Sequence, residues 1–267
     1  MKYKLIATDY DYTLANTPNP PTKKTIEVIN RYRAKSGLFT VVTGRMTCGI
    51  LNKLEGIETD LPISSYQGAV VYDRKKGKVV KDWNMSTKKA LMLLDELTAK
   101  GYEYNTYIND ELWLPREYKR TGDYCDANGI NFHISPNLRD YISANGFSIP
   151  KMLIVLPEEE AKRQEKYYSE KYKDIFTVTR SSPIYLEFTD ISASKGNALR
   201  WIAENNGISA DEIIAFGDST NDISMIEHAG LGVAMGNAMD EVKAKADIVA
   251  DNCENDGVAK IIEKYCL

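Results

Sequence analysis

The chain has 267 residues, enough for roughly two domains and a sizeable core. Its 34 basic and 38 acidic residues leave a formal net charge of -4, and no run of Lys or Arg offers a track for a phosphate backbone, so nucleic acid is not an expected partner. The apolar runs fall far short of the ~20 residues that a membrane helix needs, so no membrane is expected either.

Cys48, Cys125, Cys253 and Cys266 show no CxxC spacing, and nothing ahead of Tyr3 has the makings of a signal peptide. The expectation is a soluble chain in a reducing cytoplasm. With only His133 and His228, a histidine-rich zinc site or a His-based triad is hard to assemble.

Residues 3–14 read YKLIATDYDYTL. Leu5, Ile6 and Ala7 form an apolar run beside β-favouring Tyr3, which predicts a buried strand with Asp9 and Asp11 standing at its end. Two carboxylates this close repel, so a folded site holding both needs a shared proton or a cation; a plain acidic turn is the alternative. Residues 15–21 form a turn-rich loop, and Thr22 can cap a helix that carries Ile26, Ile29 and Tyr32 up to Gly37. A second strand, 39–42, ends in Thr43, Gly44 and Arg45 before a helix reaching Leu54. Residues 62–66 predict a third strand, Gln67 and Gly68 a turn, and 69–72 with 78–83 a hairpin across 73–77.

From Asn84 the pattern restarts. A helix over 86–100 presents Leu91, Leu94 and Leu97 on one face, followed by strands at 102–108 and 112–114 and a helix toward Asn128. Strands at 152–156, 176–179 and 185–188, with a charged helix after Pro157, complete this group. Ten of the 17 tyrosines lie between Trp83 and Phe188. They offer stacking surfaces for a sugar or a ring, although tyrosine is also an ordinary strand residue.

Past Asp190 the first pattern returns. A helix over 195–205 closes at Gly207, and a strand over 213–216 ends in Gly217 and Asp218. Residues 219–222 (STND) lead into a helix through Ile226. A strand at 231–235, a helix capped by Asn237, a strand at 248–250 and a helix over 257–265 finish the chain. Strand and helix alternating at this spacing predict an α/β fold: a Rossmann-like, mostly parallel sheet with helices on both faces. The two ends, 1–83 and 189–267, make this core, and 84–188 is an inserted α+β unit.

In such a sheet, sites form at the carboxyl ends of the strands. Asp9, Asp11, Thr43, Asp218 and Asp222 all emerge there, and Lys195 opens a helix that can lean over them. Phosphoryl transfer requires such a set: a carboxylate to attack phosphorus, a cation and an ammonium for the equatorial oxygens, a hydroxyl donor, and an acid for the leaving alcohol. Magnesium suits the oxygen ligands.

DYDYTL at 9–14, VTGR at 42–45, KGNAL at 195–199, GDSTND at 217–222 and MGNA at 235–238 together resemble the successive motifs of the haloacid-dehalogenase superfamily. Their order, with a large insertion between the second and third, is similar to its Cof-type sugar-phosphatase branch. The resemblance spans essentially the whole chain and is weak within the insert. It implies that Asp9 is the nucleophile and that Asp11 is the general acid and base. Asp9 and Asp218 are implied as side-chain ligands of Mg2+, with the Asp11 backbone carbonyl a third and Asp222 orienting the metal's waters. Thr43, Gly44, Lys195 and Asn221 are implied at the phosphate, and Arg45 and Gln67 either touch substrate or lie at the surface. The insert becomes a cap that sets specificity for a small phosphorylated metabolite, such as a sugar phosphate. Members often carry glycine where this chain has Tyr12, whose backbone is therefore either at negative φ or strained.

A phosphomutase would use the same groups. A phospho-acceptor switch would use an acidic pocket with Thr and Lys but needs no acid two residues after the acceptor. A DxD glycosyltransferase leaves Thr43, Lys195 and the 217–222 segment unexplained, and the retained charged groups argue against a silent binding module.

Overall fold

The structure is a computed structural model that describes residues 2–267. In chain order its elements begin with β1 (Leu5–Thr8), α1 (Lys23–Ala34), β2 (Leu38–Val41), α2 (Thr47–Lys53), β3 (Ile63–Ser65), β4 (Val70–Asp73) and β5 (Lys78–Asp82). The middle holds α3 (Thr87–Ala99), β6 (Tyr104–Ile108), β7 (Glu111–Leu114), α4 (Thr121–Asn128), β8 (Phe132–Ile134), α5 (Leu138–Asn145), β9 (Met152–Val155), α6 (Glu158–Lys171), β10 (Phe176–Ser182) and β11 (Tyr185–Asp190). Last come α7 (Lys195–Glu204), β12 (Ile213–Gly217), α8 (Ile223–Ile226), β13 (Leu231–Ala234), α9 (Asp240–Lys243), β14 (Ile248–Val249) and α10 (Gly257–Cys266).

Two compact units result, one of residues 2–44, 53–81 and 194–267, the other of residues 45–52 and 82–193. In the first, five strands run in the order β14-β13-β12-β1-β2, and every pairing is parallel. From β1 the chain steps to β2 on one side, while from β12 it steps to β13 on the other. Right-handed crossovers in opposite directions place their helices on opposite faces and leave a switch point between β1 and β12. β1 is buried throughout, as its apolar run requires. Thr22 caps α1, its hydroxyl accepting from the Thr25 amide at 3.1 Å. A small sheet β3-β4-β5 continues from β2 through a single parallel bridge between Val42 and Ser64.

The second unit is built on the sheet β10-β11-β9-β6-β7-β8, antiparallel except for the parallel pair β7 and β8. One face packs Tyr104, Ile108, Met152, Ile154, Leu186 and Phe188 against Leu93, Leu94 and Leu97 of α3 and Tyr168 of α6. Alternate residues turn to the other face, where buried Lys151 pairs with buried Glu187 at 3.0 Å and the Ser181 hydroxyl donates to the same carboxylate at 2.9 Å. The β6–β7 hairpin turns at Asn109 (φ 53°) and Asp110 (φ 64°), the two positive values that a two-residue type I′ turn demands. There the Asp110 carboxylate accepts from the Thr47 and Cys48 amides at 2.9 and 2.7 Å. These are two of the amides at the start of α2 that no turn of the helix satisfies.

The strands and helices expected from periodicity are present, with three differences. β8 and α5 were not expected: β8 is only three residues long and largely exposed, and the face of α5 buries only Leu138 and Ile142, too few for a visible period. The helix α9 starts after Met239 and not at Asn237, whose Nδ2 donates to the Tyr12 carbonyl at 2.9 Å and so is committed elsewhere. Among the described residues no helix is long and apolar enough to cross a membrane, and Cys48, Cys125, Cys253 and Cys266 are free thiols.

Asp110→Ala removes the acceptor for the first amides of α2. Losing a helix cap costs about 1 kcal/mol, so the urea midpoint of the variant should fall by a corresponding amount while the strand content seen by circular dichroism stays the same.

Candidate active site

At the switch point the ends of β1 and β12 lie side by side, with Thr8 paired to Phe216 and the Asp9 amide donating to the Phe216 carbonyl at 3.0 Å. This pairing brings Asp9 next to Asp218. Among the described residues, Asp9, Asp218 and Asp222 each bring one carboxylate oxygen within 4.8 Å of the others'. The Asp11 carboxylate is not in that group; it accepts from the Thr17 hydroxyl at 2.5 Å.

Lys195, 1% exposed at the start of α7, holds the cluster together. Its Nζ lies 2.8 Å from Asp9 Oδ1 and 2.6 Å from Asp222 Oδ1. Asp222 is fully buried, and its Oδ2 accepts from the Asp218 and Ser219 amides at 3.0 Å each. Three donors occupy this carboxylate, so Asp222 shapes the loop and anchors the ammonium. Asp218 is less fully bonded: among the described residues its carboxylate accepts from the Thr13 hydroxyl at 2.7 Å.

The charges do not balance. Burial pushes the Asp9 carboxyl well above the usual carboxylate range, with the charges of Asp222, Asp218 and Asp11 adding to it and Lys195 opposing. Burial and the neighbouring Asp222 likewise push Asp218 up to about 7. Burial works against the Lys195 charge, but Asp222 and Asp9 outweigh it and hold the ammonium above its ordinary value. A cluster with more carboxylates than cations, all oxygen donors, fits a hard divalent ion such as Mg2+. Asp9 and Asp218 are the side chains available to hold it.

A second layer is formed by the turn Tyr66–Gly68 after β3. Tyr66, Gln67 and Gly68 take φ values of 52°, 60° and 92° in succession. Left-handed backbone costs a residue with a side chain roughly 1–2 kcal/mol, so this shape must be imposed by its contacts. The Gln67 amide donates to the Thr43 carbonyl at 3.1 Å, and the Thr43 amide donates to Ser64 at 2.9 Å. A Cβ on Gly68 would stand 2.1 Å from the Ser194 carbonyl oxygen, a close approach to backbone that needs glycine, while one on Gly44 would meet the end of the Gln67 side chain, Nε2, at 2.4 Å. Gln67 is buried, and its Oε1 accepts from Asn221 Nδ2 at 2.7 Å.

The structure thus brings Asp9, Asp218, Asp222 and Lys195 together, and gathers Thr43, Gly44, Gln67 and Asn221 around one turn. Gln67 is not a surface residue. Arg45 belongs to the inserted unit, where its Nη1 donates to Asn128 Oδ1 at 3.3 Å. Tyr12 takes φ 57° with its side chain half exposed, the strained branch of the two that its position allowed. Thr13 and Thr17 were not singled out in the sequence. Each acts on a carboxylate through a hydroxyl, and for Thr13 the partner is 205 positions away, beyond any local pattern.

The sequence signature of the haloacid dehalogenase-like hydrolases matches residues 6–262. A 5-amino-6-(5-phospho-D-ribitylamino)uracil phosphatase of Bacillus subtilis is 30% identical over 99% of this chain and 96% of its own length. A pyridoxal phosphate phosphatase of Escherichia coli is 27% identical over the full length of both chains. A Thermotoga maritima protein of known crystal structure superposes with a TM-score of 0.85 at 28% identity, covering 99% of this chain and 98% of that one. The chain belongs to the haloacid dehalogenase-like hydrolases and is a phosphatase of that family.

The raised Asp218 carboxyl has a thermodynamic signature. In the folded protein it keeps a proton that the unfolded chain gives up near its ordinary value of 3.8, so this contribution to stability is full below about pH 4 and is lost as pH rises through about 7. Asp9 adds in the same direction. Without divalent cation, wild type should therefore lose roughly 1–3 kcal/mol relative to Asp218→Asn between pH 4 and pH 8. Magnesium at pH 8 should restore wild type and not the variant, and thermal melts across this range check both.

Proposed function

We propose that this phosphatase is magnesium-dependent and hydrolyses a small phosphorylated metabolite, such as a sugar phosphate, through a phosphoryl group carried on Asp9. The observation that carries the reading is the buried Lys195 ammonium between Asp9 and Asp222, with Asp218 alongside. The relatives that act on a ribitylaminouracil phosphate and on pyridoxal phosphate support a phosphate monoester of modest size.

In this reading an Asp9 oxygen attacks phosphorus as the bond to the ester oxygen breaks, and Asp11 gives its proton to the departing alcohol. Asp11 then takes a proton from water, which attacks the same phosphorus and frees Asp9 and inorganic phosphate. Two of the Lys195 N–H groups face Asp9 and Asp222, leaving the third for a phosphoryl oxygen. The Thr43 hydroxyl supplies a further donor for the phosphoryl group. Mg2+ held by Asp9 and Asp218 supplies positive charge that lets an anionic nucleophile meet an anionic ester. Thr17 holds the Asp11 carboxyl in one orientation during both transfers. The inserted unit, with polar groups on the face of its sheet away from its core, selects the alcohol part.

A panel of phosphate esters assayed with and without Mg2+ tests this. Asp9→Asn should abolish turnover, and Asp11→Asn should reduce kcat about 100- to 10,000-fold, the usual share of a general acid. Both should melt as cooperatively as wild type. Hydrolysis by Asp9→Asn at the wild-type rate would remove it as nucleophile.

A further inference from the structure

The helix α7 starts at the active site with Lys195, and its other end borders a cavity of about 300 Å³. Trp201, Asn205 and Asn206 line this cavity from the helix, and Arg74, Lys75 and Lys76 line it from the turn between β4 and β5. None of these side chains enters the phosphoryl transfer. The volume is at the small end of ligand-binding clefts, with room for a ring and its substituents and not for a polymer.

Two acids also line the cavity, and both are satisfied by other partners. Asp60 accepts from Arg33 through both carboxylate oxygens at 2.8 and 2.9 Å and from the Phe39 amide at 3.0 Å. Asp73 accepts from the Lys75 and Lys76 amides at 3.0 and 3.1 Å and pairs with the Lys76 ammonium at 3.0 Å. The other two cations meet only uncharged oxygen among the described residues. Arg74 donates through Nη1 to the Ile57 carbonyl at 2.8 Å and to the Thr59 hydroxyl at 3.4 Å, and through Nη2 to the Leu54 carbonyl at 3.4 Å. Lys75 Nζ reaches the Asp60 carbonyl at 3.5 Å. A carbonyl fixes a cation in place without cancelling its charge, so Arg74 and Lys75 leave the cavity positive.

The helix side offers a different chemistry. Trp201 is half-buried. Asn205 and Asn206 donate through Nδ2 to the Trp201 and Ile202 carbonyls at 2.8 and 2.7 Å. A backbone carbonyl only accepts, so each amide must turn its NH2 toward the helix, which leaves each Oδ1 as an acceptor.

We propose that this cavity is a second binding site and that it takes a nucleoside monophosphate. Its phosphate, which carries nearly two negative charges at neutral pH, matches the two uncompensated cations. Its base supplies a flat face for Trp201, as in other nucleotide sites built on aromatic side chains, and N–H groups for the asparagine oxygens. The site is separate from the carboxylate cluster, and the proposal does not depend on how that cluster works.

Adenosine monophosphate is the probe, added to the whole protein with divalent cations chelated. It should change the indole fluorescence saturably, and Trp201→Phe should abolish that change although Trp83 and Trp113 remain. Lys75→Glu should weaken binding about tenfold or more by calorimetry, the usual worth of a charged hydrogen bond. Lys78→Glu, at an exposed position of the same hairpin outside the cavity, should bind as wild type does. Adenosine, which lacks the phosphate, should bind at least tenfold more weakly. Turnover of phosphate esters by Lys75→Glu should equal that of wild type, which separates this site from the catalytic one. Absence of saturable binding, a fluorescence change that survives Trp201→Phe, or equal affinity in wild type and Lys75→Glu would each overturn the proposal. So would an equal loss in Lys75→Glu and Lys78→Glu, which would mark a general effect of surface charge.

Discussion

The contact between the Lys195 ammonium and the carboxylates of Asp9 and Asp222 is the constraint on which the rest of this structure depends. A lone ammonium could not be buried to 1% exposure, nor could the carboxylates. Each is tolerated because the other is there and because the remaining valences of Asp222 are met by backbone amides. The compensation is deliberately incomplete in its geometry. Three donors meet Asp222, while among the described residues the Asp218 carboxylate accepts from the Thr13 hydroxyl, so the less fully bonded carboxyl groups are the two that follow the paired strands β1 and β12.

That placement follows from topology. Parallel strands put their carboxyl ends on one edge, and the reversal of strand order between β1 and β12 opens that edge where their loops diverge. Residues 9 and 218 become neighbours because Thr8 and Phe216 are in register. The left-handed turn at Tyr66–Gly68 does for the uncharged groups what Lys195 does for the charged ones, tying Thr43, Gly44 and Asn221 to a single rigid point.

Much of this was legible beforehand for a physical reason. Buried parallel strands are short apolar runs, and the polar residue at which each run stops is where a site can form, so Asp9, Thr43 and Asp218 could be read from the places where hydrophobicity ends. The same rule failed where burial leaves no period. β8 and α5 bury too little to be seen, and Asn237 looked like a cap because nothing local reveals that its amide is spent on Tyr12. Gln67 lay in a recognised turn, yet neither its left-handed backbone nor its bond to Asn221, 154 positions on, has a signature in composition. Pairings between hydroxyls or amides at such separations are properties of the folded arrangement, and only coordinates carry them.

The way the chain is divided has a consequence for anyone wishing to exchange specificity between relatives. Because residues 45–52 group with 82–193, the polypeptide passes between the two units after positions 44, 52, 81 and 193, twice as often as a simple insertion would. A graft of 82–193 alone would carry the Asp110 carboxylate away from the Thr47 and Cys48 amides it serves, leaving a helix start bare in the host and an acid stranded in the transplant. Chimeras spliced at both pairs of junctions would keep that bond intact, so the exchangeable cassette is a discontinuous one.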